Sequence, residues 1–375
     1  MSKKNYLEVT KIPLDKLEEW VFDDDYSIHH KSKGFFTFVA INQDGFNNIF
    51  ISQNEIGILS ILLRFEEKDF FNREIFIQKK QEPGNSPLTQ LSPSIQKTFS
   101  NLTGKHGGKD INLNSFQNYF KNSIYSYIKH EQSDSFLYKK NLNIFSVFDS
   151  SIENPLFSFR NCYWIKLSEL INLALIGDTI HADTRSVLFL YFAKELIKVL
   201  KCEPANKVNN YLRNKINLWN LTNQKSWYFV KMRDIVTYEN GSLFFNSSKV
   251  KFDKKIISGF RIKSNNREVG EWSQPLIFIN KRIYDLFYTE IDKQILIIVS
   301  LKSSSGTMNN LEFLPTYSYF AEDKASNYNK DSKIKLIHQS NQTEEGGRFW
   351  KRSNLHRIFY LNDISNYKDD DDRLV

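Results

Sequence analysis

The sequence predicts an α/β protein of the α+β kind, built from two tandem, structurally similar halves with mixed β-sheets flanked by helices. Three observations carry this reading. Short apolar runs rich in β-branched and aromatic residues dominate both halves, apolar residues at helical spacing close the first half, and the strand pattern then restarts. A chain of 375 residues has room for two cores, since single domains usually hold roughly 100 to 200 residues.

In the first half, Phe35 to Ile41, Ile56 to Leu63 and Ile75 to Gln78 read as strands. Ser168 to Leu175 and Val187 to Leu200 read as helices, the second placing Phe189, Phe192, Ala193, Leu196 and Leu200 on one apolar face. A polar, Asn-rich segment at 207–223 carries Tyr211, Leu212, Ile216, Leu218 and Trp219 and reads as a linker helix. The boundary falls near Cys202, giving units 1–202 and 203–375. Strands resume at Trp227 to Val230, Ile256 to Ile262, Gln274 to Ile279 and Ile295 to Lys302. The terminal Tyr367-Lys-Asp-Asp-Asp-Asp-Arg373 is an acidic, solvated tail outside the fold.

The restart has a register. Setting Lys80 on Lys302 puts Gly84 on Gly306 and Pro93-Ser94 on Pro315-Thr316. Further on, Glu131-Gln132 followed by Phe136 matches Glu344-Glu345 followed by Phe349, and upstream Phe46 matches Trp272. Several matches in one order favour an internal duplication over chance.

Composition narrows the function classes. No apolar run approaches the ~20 residues of a membrane span, because Val187 to Leu200 is broken by Lys194, Glu195 and Lys198. The N-terminus lacks an apolar signal region, so a cytoplasmic location is expected. Cys162 and Cys202 have no CxxC or His-rich company, which argues against a disulfide framework or a zinc site. A net charge of +8 favours anionic partners. The lysines form no recognition helix or stripe, so nucleic acid is not the expected partner.

The segment richest in chemistry-bearing side chains runs from Gln78 to Gly108. A strand delivers Lys80, a Pro-Gly turn reverses the chain after Glu82, and a polar loop with paired glycines follows His106. This pattern suits a phosphate-bearing ligand, and an ordinary surface loop would have a similar composition.

Particular wording separates the two. Glu82-Pro-Gly-Asn85, Gln90-Leu-Ser-Pro93, Gln96, Thr98, Ser100-Asn101 and His106-Gly-Gly108 resemble the NDP-hexose 2,3-dehydratase family. So do Glu55-Ile-Gly-Ile-Leu59, Glu131-Gln132 before Phe136-Leu137 and Lys139, and Asp183-Thr-Arg185. In the second half the resemblance rests on Arg267-Glu-Val, Trp272, Gln274-Pro275 and Glu344-Glu-Gly-Gly-Arg-Phe349.

The resemblance implies a homodimeric enzyme of deoxysugar biosynthesis with two Nudix-like domains, acting on an NDP, usually dTDP, 4-keto-6-deoxyhexose. No Nudix metal box is present, and neither a metal nor a redox cofactor is expected. The product would be a 3,4-diketo-2,6-dideoxy sugar nucleotide, passed to a 3-ketoreductase. A nucleotide-sugar-binding protein without turnover is the alternative.

A carbonyl at C4 acidifies the C3 proton, so the protein must supply a base at C3, a donor for the departing C2 hydroxyl, and positive charge facing the C4 oxygen. Glu131, His106, Lys80 and Glu82 are the catalytic candidates within the matched motifs. A desolvated glutamate, Glu82 or Glu131, suits the base, and His106 can give or take a proton near neutrality. Lys80 suits the C4 oxygen or a phosphate. Arg185 and Arg348 suit the diphosphate through paired guanidinium hydrogen bonds. Asn85, Gln90, Gln96 and Asn101 have amides able to read sugar hydroxyls, while Gly107, Trp272, Gln274, Glu344 and Glu345 complete the expected binding set.

The chain departs from the family pattern at Leu102, Ser94, His130, Ser133, Ser135 and His181-Ala182, which bears on the identity of the sugar. At the Pro-Gly turn the second half has Ser304-Ser-Gly-Thr307, without acid or amide, whereas Glu344 to Arg348 stays polar. The first half is therefore expected to carry the chemistry and the second to keep a ligand pocket.

Overall fold

In the computed structural model the described residues are 6–53, 55–64, 70–98, 123–131, 134–148, 161–199, 210, 213–214, 216–219, 226–246, 253–265, 269–303, 306, 311–323, 333–363 and 373–374. They are mostly strand, with few helices, in mixed sheets that do not close into a barrel. His106, Gly107, Asn101, Cys202 and most of the linker and tail lie outside them. Of the linker, residues 210, 213–214 and 216–219 are helical.

The first half supplies β1 (Leu7–Ile12), β2 (Trp20–Phe22), β3 (Ile28–His30), β4 (Thr37–Gln43), β5 (Phe46–Ser52), β6 (Gly57–Arg64), β7 (Glu74–Gln81), β8 (Thr89–Pro93), β9 (Ile95–Thr98), β10 (Ser123–His130), β11 (Phe136–Leu137), β12 (Lys140–Val147) and β13 (Cys162–Lys166). Helices α1 (Leu167–Ile176) and α2 (Ala182–Val199) follow. The second half supplies β14 (Trp227–Val230), β15 (Thr237–Glu239), β16 (Ser242–Asn246), β17 (Lys254–Ser264), β18 (Glu271–Ile279), β19 (Arg282–Ile291), β20 (Gln294–Ser303), β21 (Leu311–Pro315), β22 (Tyr317–Phe320), β23 (Ile334–Thr343), β24 (Ser353–Leu361) and β25 (Arg373–Leu374).

The two larger sheets share one connectivity. The first runs β10-β12-β6-β7-β13 with β8 on β7 and β9 on β6, and the second runs β21-β20-β19-β24-β23 with β22 on β19. In each, one pair is parallel, β6 with β12 and β19 with β24. The register recurs as well, since Ile77 faces Pro93 as Val299 faces Pro315, and Lys80 faces Gln90 as Lys302 faces Glu312. Side chains repeat the pattern. The Ser94 hydroxyl accepts from Leu62 N and donates to Phe76 O, while Thr316 accepts from Phe287 N and donates to Ile298 O.

The smaller sheets exchange strands. β1 pairs antiparallel with β17 of the second half, and β14 pairs antiparallel with β4 of the first. Where the halves meet, Phe136 and Phe349 pack edge-to-face with centroids 5.7 Å apart. Each is bound in parallel to its own smaller sheet, Phe136 opposite Ile51 and Phe349 opposite Ile277.

The halves differ in what covers their larger sheets. β6 is buried along almost its whole length, with Leu59, Ile61 and Leu63 under α1 and α2 and Ile58 and Leu62 on the other face. That explains its unbroken apolar run. β19 instead alternates, burying Ile283, Asp285, Phe287 and Thr289 between less buried neighbours, as a strand with one covered face does. The buried stripe of α2 is Thr184, Val187, Leu188 and Tyr191. Of the stripe expected on this helix, Phe192 packs against the core beneath α2, whereas Phe189 is 65% exposed. The free Cys162 thiol is half-buried, and burial pushes its pKa to about 11.

Candidate active site

β7 carries Lys80 opposite Gln90 of β8, near the strand's C-terminal end, and the short 3₁₀ turn at Pro83–Asn85 then docks against the second half. The Gly84 amide donates to Gly346 O at 2.7 Å, and Gly84 O accepts from Lys351 N at 2.8 Å. A methyl on Gly84 would lie 1.7 Å from Phe349 O, so only glycine permits this approach.

Lys80 Nζ donates to Gln96 Oε1 at 2.6 Å and pairs with Glu82 Oε1 at 3.2 Å. Glu82 Oε2 meets His181 Nε2 at 2.8 Å and accepts from Gly347 N at 3.0 Å. Gln96 Nε2 donates to Asp183 Oδ2 at 2.6 Å. His181 and Asp183 sit at the start of α2, and one turn on, Ser186 donates to Glu131 Oε1 at 2.5 Å. Lys129 bonds Ser186 Oγ at 2.8 Å and stands 3.6 Å from Glu131 Oε2. Three strands and one helix thus bring two polar clusters together at the start of α2, Lys80 with Glu82 and Gln96 against His181 and Asp183, and Glu131 with Lys129 against Ser186.

Burial pushes the Glu131 carboxyl above the ordinary glutamate range, and Asp183 adds to this, while Lys129, Ser186 and Lys139 pull it partly back. Lys139 is buried and bonds Glu345 of the second half. Burial alone would raise the Glu345 pKa, but Lys139 and Arg348 hold it below the carboxylate range. Lys139 is raised in turn, chiefly by Glu345 against the cost of burial. Glu82 and His181 are almost sealed, at 5% and 0% side-chain exposure. Lys80 and Glu131 keep an opening, at 17% and 11%.

Several residues expected to touch ligand are engaged within the protein. Asn85 Nδ2 donates to Gln90 Oε1 and Glu344 O, both at 2.9 Å. Gln90 Nε2 donates to Asp178 O and Thr343 Oγ1. Arg185 donates to Ile180 O at 2.6 Å and Thr343 O at 2.8 Å, closing the seam between the halves. Glu344 Oε1 accepts from Asn354. Arg348 donates to Gln53 Oε1 at 3.1 Å and covers the Phe36 ring. Trp272 donates to Gln274, which donates to Gly347 O and so supports the Glu345–Arg348 loop from behind.

Ser186 and Lys129 were not singled out from the sequence, Asp183 and Lys139 entered only as parts of motifs, and His181 only as a departure from the family pattern. The available signal was the polar start of an otherwise apolar helix, His181-Ala-Asp-Thr-Arg-Ser186.

The sequence model of the NDP-hexose 2,3-dehydratases matches residues 1–190 and 208–372. A dTDP-4-dehydro-6-deoxy-alpha-D-glucopyranose 2,3-dehydratase of Amycolatopsis orientalis is 26% identical, over 92% of this chain and 76% of its own length. Enzymes of the same name from Streptomyces violaceoruber and Saccharopolyspora spinosa are 23% and 24% identical, over 95% and 96% of this chain and 84% and 80% of theirs. With both halves matched, the chain belongs to the NDP-hexose 2,3-dehydratase family.

Proposed function

We propose that the chain removes water across C2–C3 of a dTDP-4-keto-6-deoxyhexose, giving the 3,4-diketo-2,6-dideoxy sugar nucleotide. The observation that carries the assignment of roles is the buried Glu131 carboxylate beside a network that ends on Lys80. Glu131 takes the C3 proton, its raised pKa making it a stronger base than a solvated glutamate. Negative charge then moves to the C4 oxygen, where the Lys80 ammonium meets it. Hydroxide leaves C2 with a proton supplied by the site, for which His106 remains the candidate. The resulting C2–C3 enol takes a proton at C2 and becomes the diketone. Carbon oxidation levels are rearranged within the sugar, so no external oxidant or reductant enters.

The first half carries the chemistry in this reading, and the second supplies the loop from Thr343 to Phe349 as one wall. The halves are two copies of one Nudix-like unit, divided near Cys202, and their matched sheet connectivity and register support this. A homodimer, a cytoplasmic location and a ketoreductase that consumes the diketone belong to the same reading. No helix among the described residues is long and apolar enough to cross a membrane.

The test is incubation with dTDP-4-keto-6-deoxyglucose in ²H₂O, followed by mass spectrometry and trapping of the product with a ketoreductase. The expected product has lost one water and gained deuterium at C2. Unchanged substrate, or loss of water without deuterium at C2, contradicts the reading.

A further inference from the structure

Lys80 bonds Gln96 and pairs with Glu82, and each of these is gripped from the start of α2. Asp183 Oδ2 accepts from Gln96 Nε2 at 2.6 Å, which turns the amide so that its oxygen faces Lys80. His181 Nε2 lies 2.8 Å from Glu82 Oε2. The backbone N–H of Asp183 donates to His181 Nδ1 at 3.1 Å, so Nδ1 accepts and Nε2 carries a proton aimed at Glu82, whose carboxylate raises the imidazole pKa against the cost of burial. The two residues form a fork whose tines fix the Glu82 carboxylate and the Gln96 amide beside one ammonium.

The second half lacks this arrangement. Lys302 takes the place of Lys80 on β20, opposite Glu312, and is exposed. Ser318 stands where Gln96 stands, and its hydroxyl accepts from Arg282 at 3.4 Å. Helix α2 has no counterpart among the described residues there. The fork therefore marks the first half.

We propose that His181 and Asp183 are positioning residues that hold the Lys80 ammonium in one place by fixing Glu82 and Gln96; the consequence for catalysis rests on the dehydratase reading above. A lysine on a flexible four-carbon stem gains little as a catalytic cation unless something restricts it. Sites work when their groups are held within about 0.5 Å of the productive geometry by such supporting contacts. Without Asp183 the Gln96 amide can flip and turn its NH₂ toward Lys80. Without His181 the Glu82 carboxylate loses one of the donors that orient it.

The test is a double-mutant cycle in the full-length protein. Asp183→Asn and His181→Phe are each expected to lower kcat by about 10- to 100-fold, less than the 10²–10³ lost with a direct oxyanion donor, with KM little changed. In a Lys80→Met background neither should lower kcat further. His181→Gln, whose amide restores a donor near Nε2, should recover most of the loss. Equal losses with and without Lys80, or a rise in KM at constant kcat, would overturn the proposal. A second readout needs no turnover: labelling of Lys80 by an amine-reactive sulfonate, followed by peptide mass spectrometry on protein shown by thermal melting to be folded. Labelling should be faster in both single variants than in the parent. Faster labelling without turnover of the parent leaves the positioning role standing and removes the dehydratase reading, whereas unchanged labelling removes the positioning role.

Discussion

At the scale of single residues, the proposed base, Glu131, has a carboxyl that burial raises above the ordinary range, while Lys129 and Ser186 pull it partly back and the Ser186 hydroxyl orients it. Glu131→Gln should cut kcat about 10²- to 10⁴-fold, with the melting temperature little changed, measured by steady-state turnover and calorimetry. The base works deprotonated, so the acid limb of kcat/KM should lie above the ordinary glutamate pKa of 4.5. Lys129 lowers that pKa, and Lys129→Met should move the limb to higher pH. A limb unmoved in that variant would remove Lys129 from the site's electrostatics. Glu131, Lys80, Glu82 and Gln96 could be named from the sequence because they lie in motifs that resemble the family and their residue types suit the proposed chemistry, and the structure brings them to one end of α2. The contacts that support them were not legible, since His181 meets Glu82 from 99 positions away and Asp183 meets Gln96 from 87. Asn85, Gln90 and Arg185 show the converse difficulty: an amide or guanidinium has the same composition whether it faces a ligand or a backbone carbonyl.

At the scale of elements, the Pro83–Asn85 turn is shaped by its contact with the second half. Gly84→Ala would drive its methyl into Phe349 O, and overpacking of this kind costs roughly 1–3 kcal/mol or more. The expected result is a lower denaturant midpoint and lost turnover together, since the same shift carries Glu82 away from Gly347 N. Strands were read well where their pattern was strong: β6 as a continuous apolar run, and β17, β18 and β20 within a few residues of their observed ends. On α2 the expected stripe holds at Phe192 and fails at Phe189, which is apolar yet exposed, and the buried face also takes in the polar Thr184. The exchange of β1 and β14 between halves was not legible, since strand pairing over such separations leaves no local periodicity.

At the scale of the whole molecule, the halves are joined through the site itself. Lys139 of the first half and Glu345 of the second form a buried ion pair, with the Lys139 ammonium 4.3 Å from the Phe136 ring centroid. Removing one partner, as in Lys139→Met, should cost about 3–5 kcal/mol by stranding the other charge. Replacing both partners with apolar residues should restore much of that stability. Because the folded pKa of Glu345 is depressed, its contribution is present above the ordinary carboxylate pKa and is lost as pH falls through the folded value. Lys139, raised, loses its contribution as pH climbs through its own folded value. Urea midpoints of parent and Glu345→Gln compared across acidic pH should converge at the low end.

Joined in this way, the halves should not work apart: residues 1–202 alone lack β14, the Gly347 donor and Glu345, and should show no turnover. The division of labour between them is tested most directly by kcat on dTDP-4-keto-6-deoxyglucose for Glu131→Gln beside Glu344→Gln, its second-half match, with the folded fraction measured for each. Loss of about 10²-fold or more in the first, with turnover kept in the second, is the predicted result. Turnover kept in Glu131→Gln and abolished in a folded Glu344→Gln would contradict the assignment of chemistry to the first half.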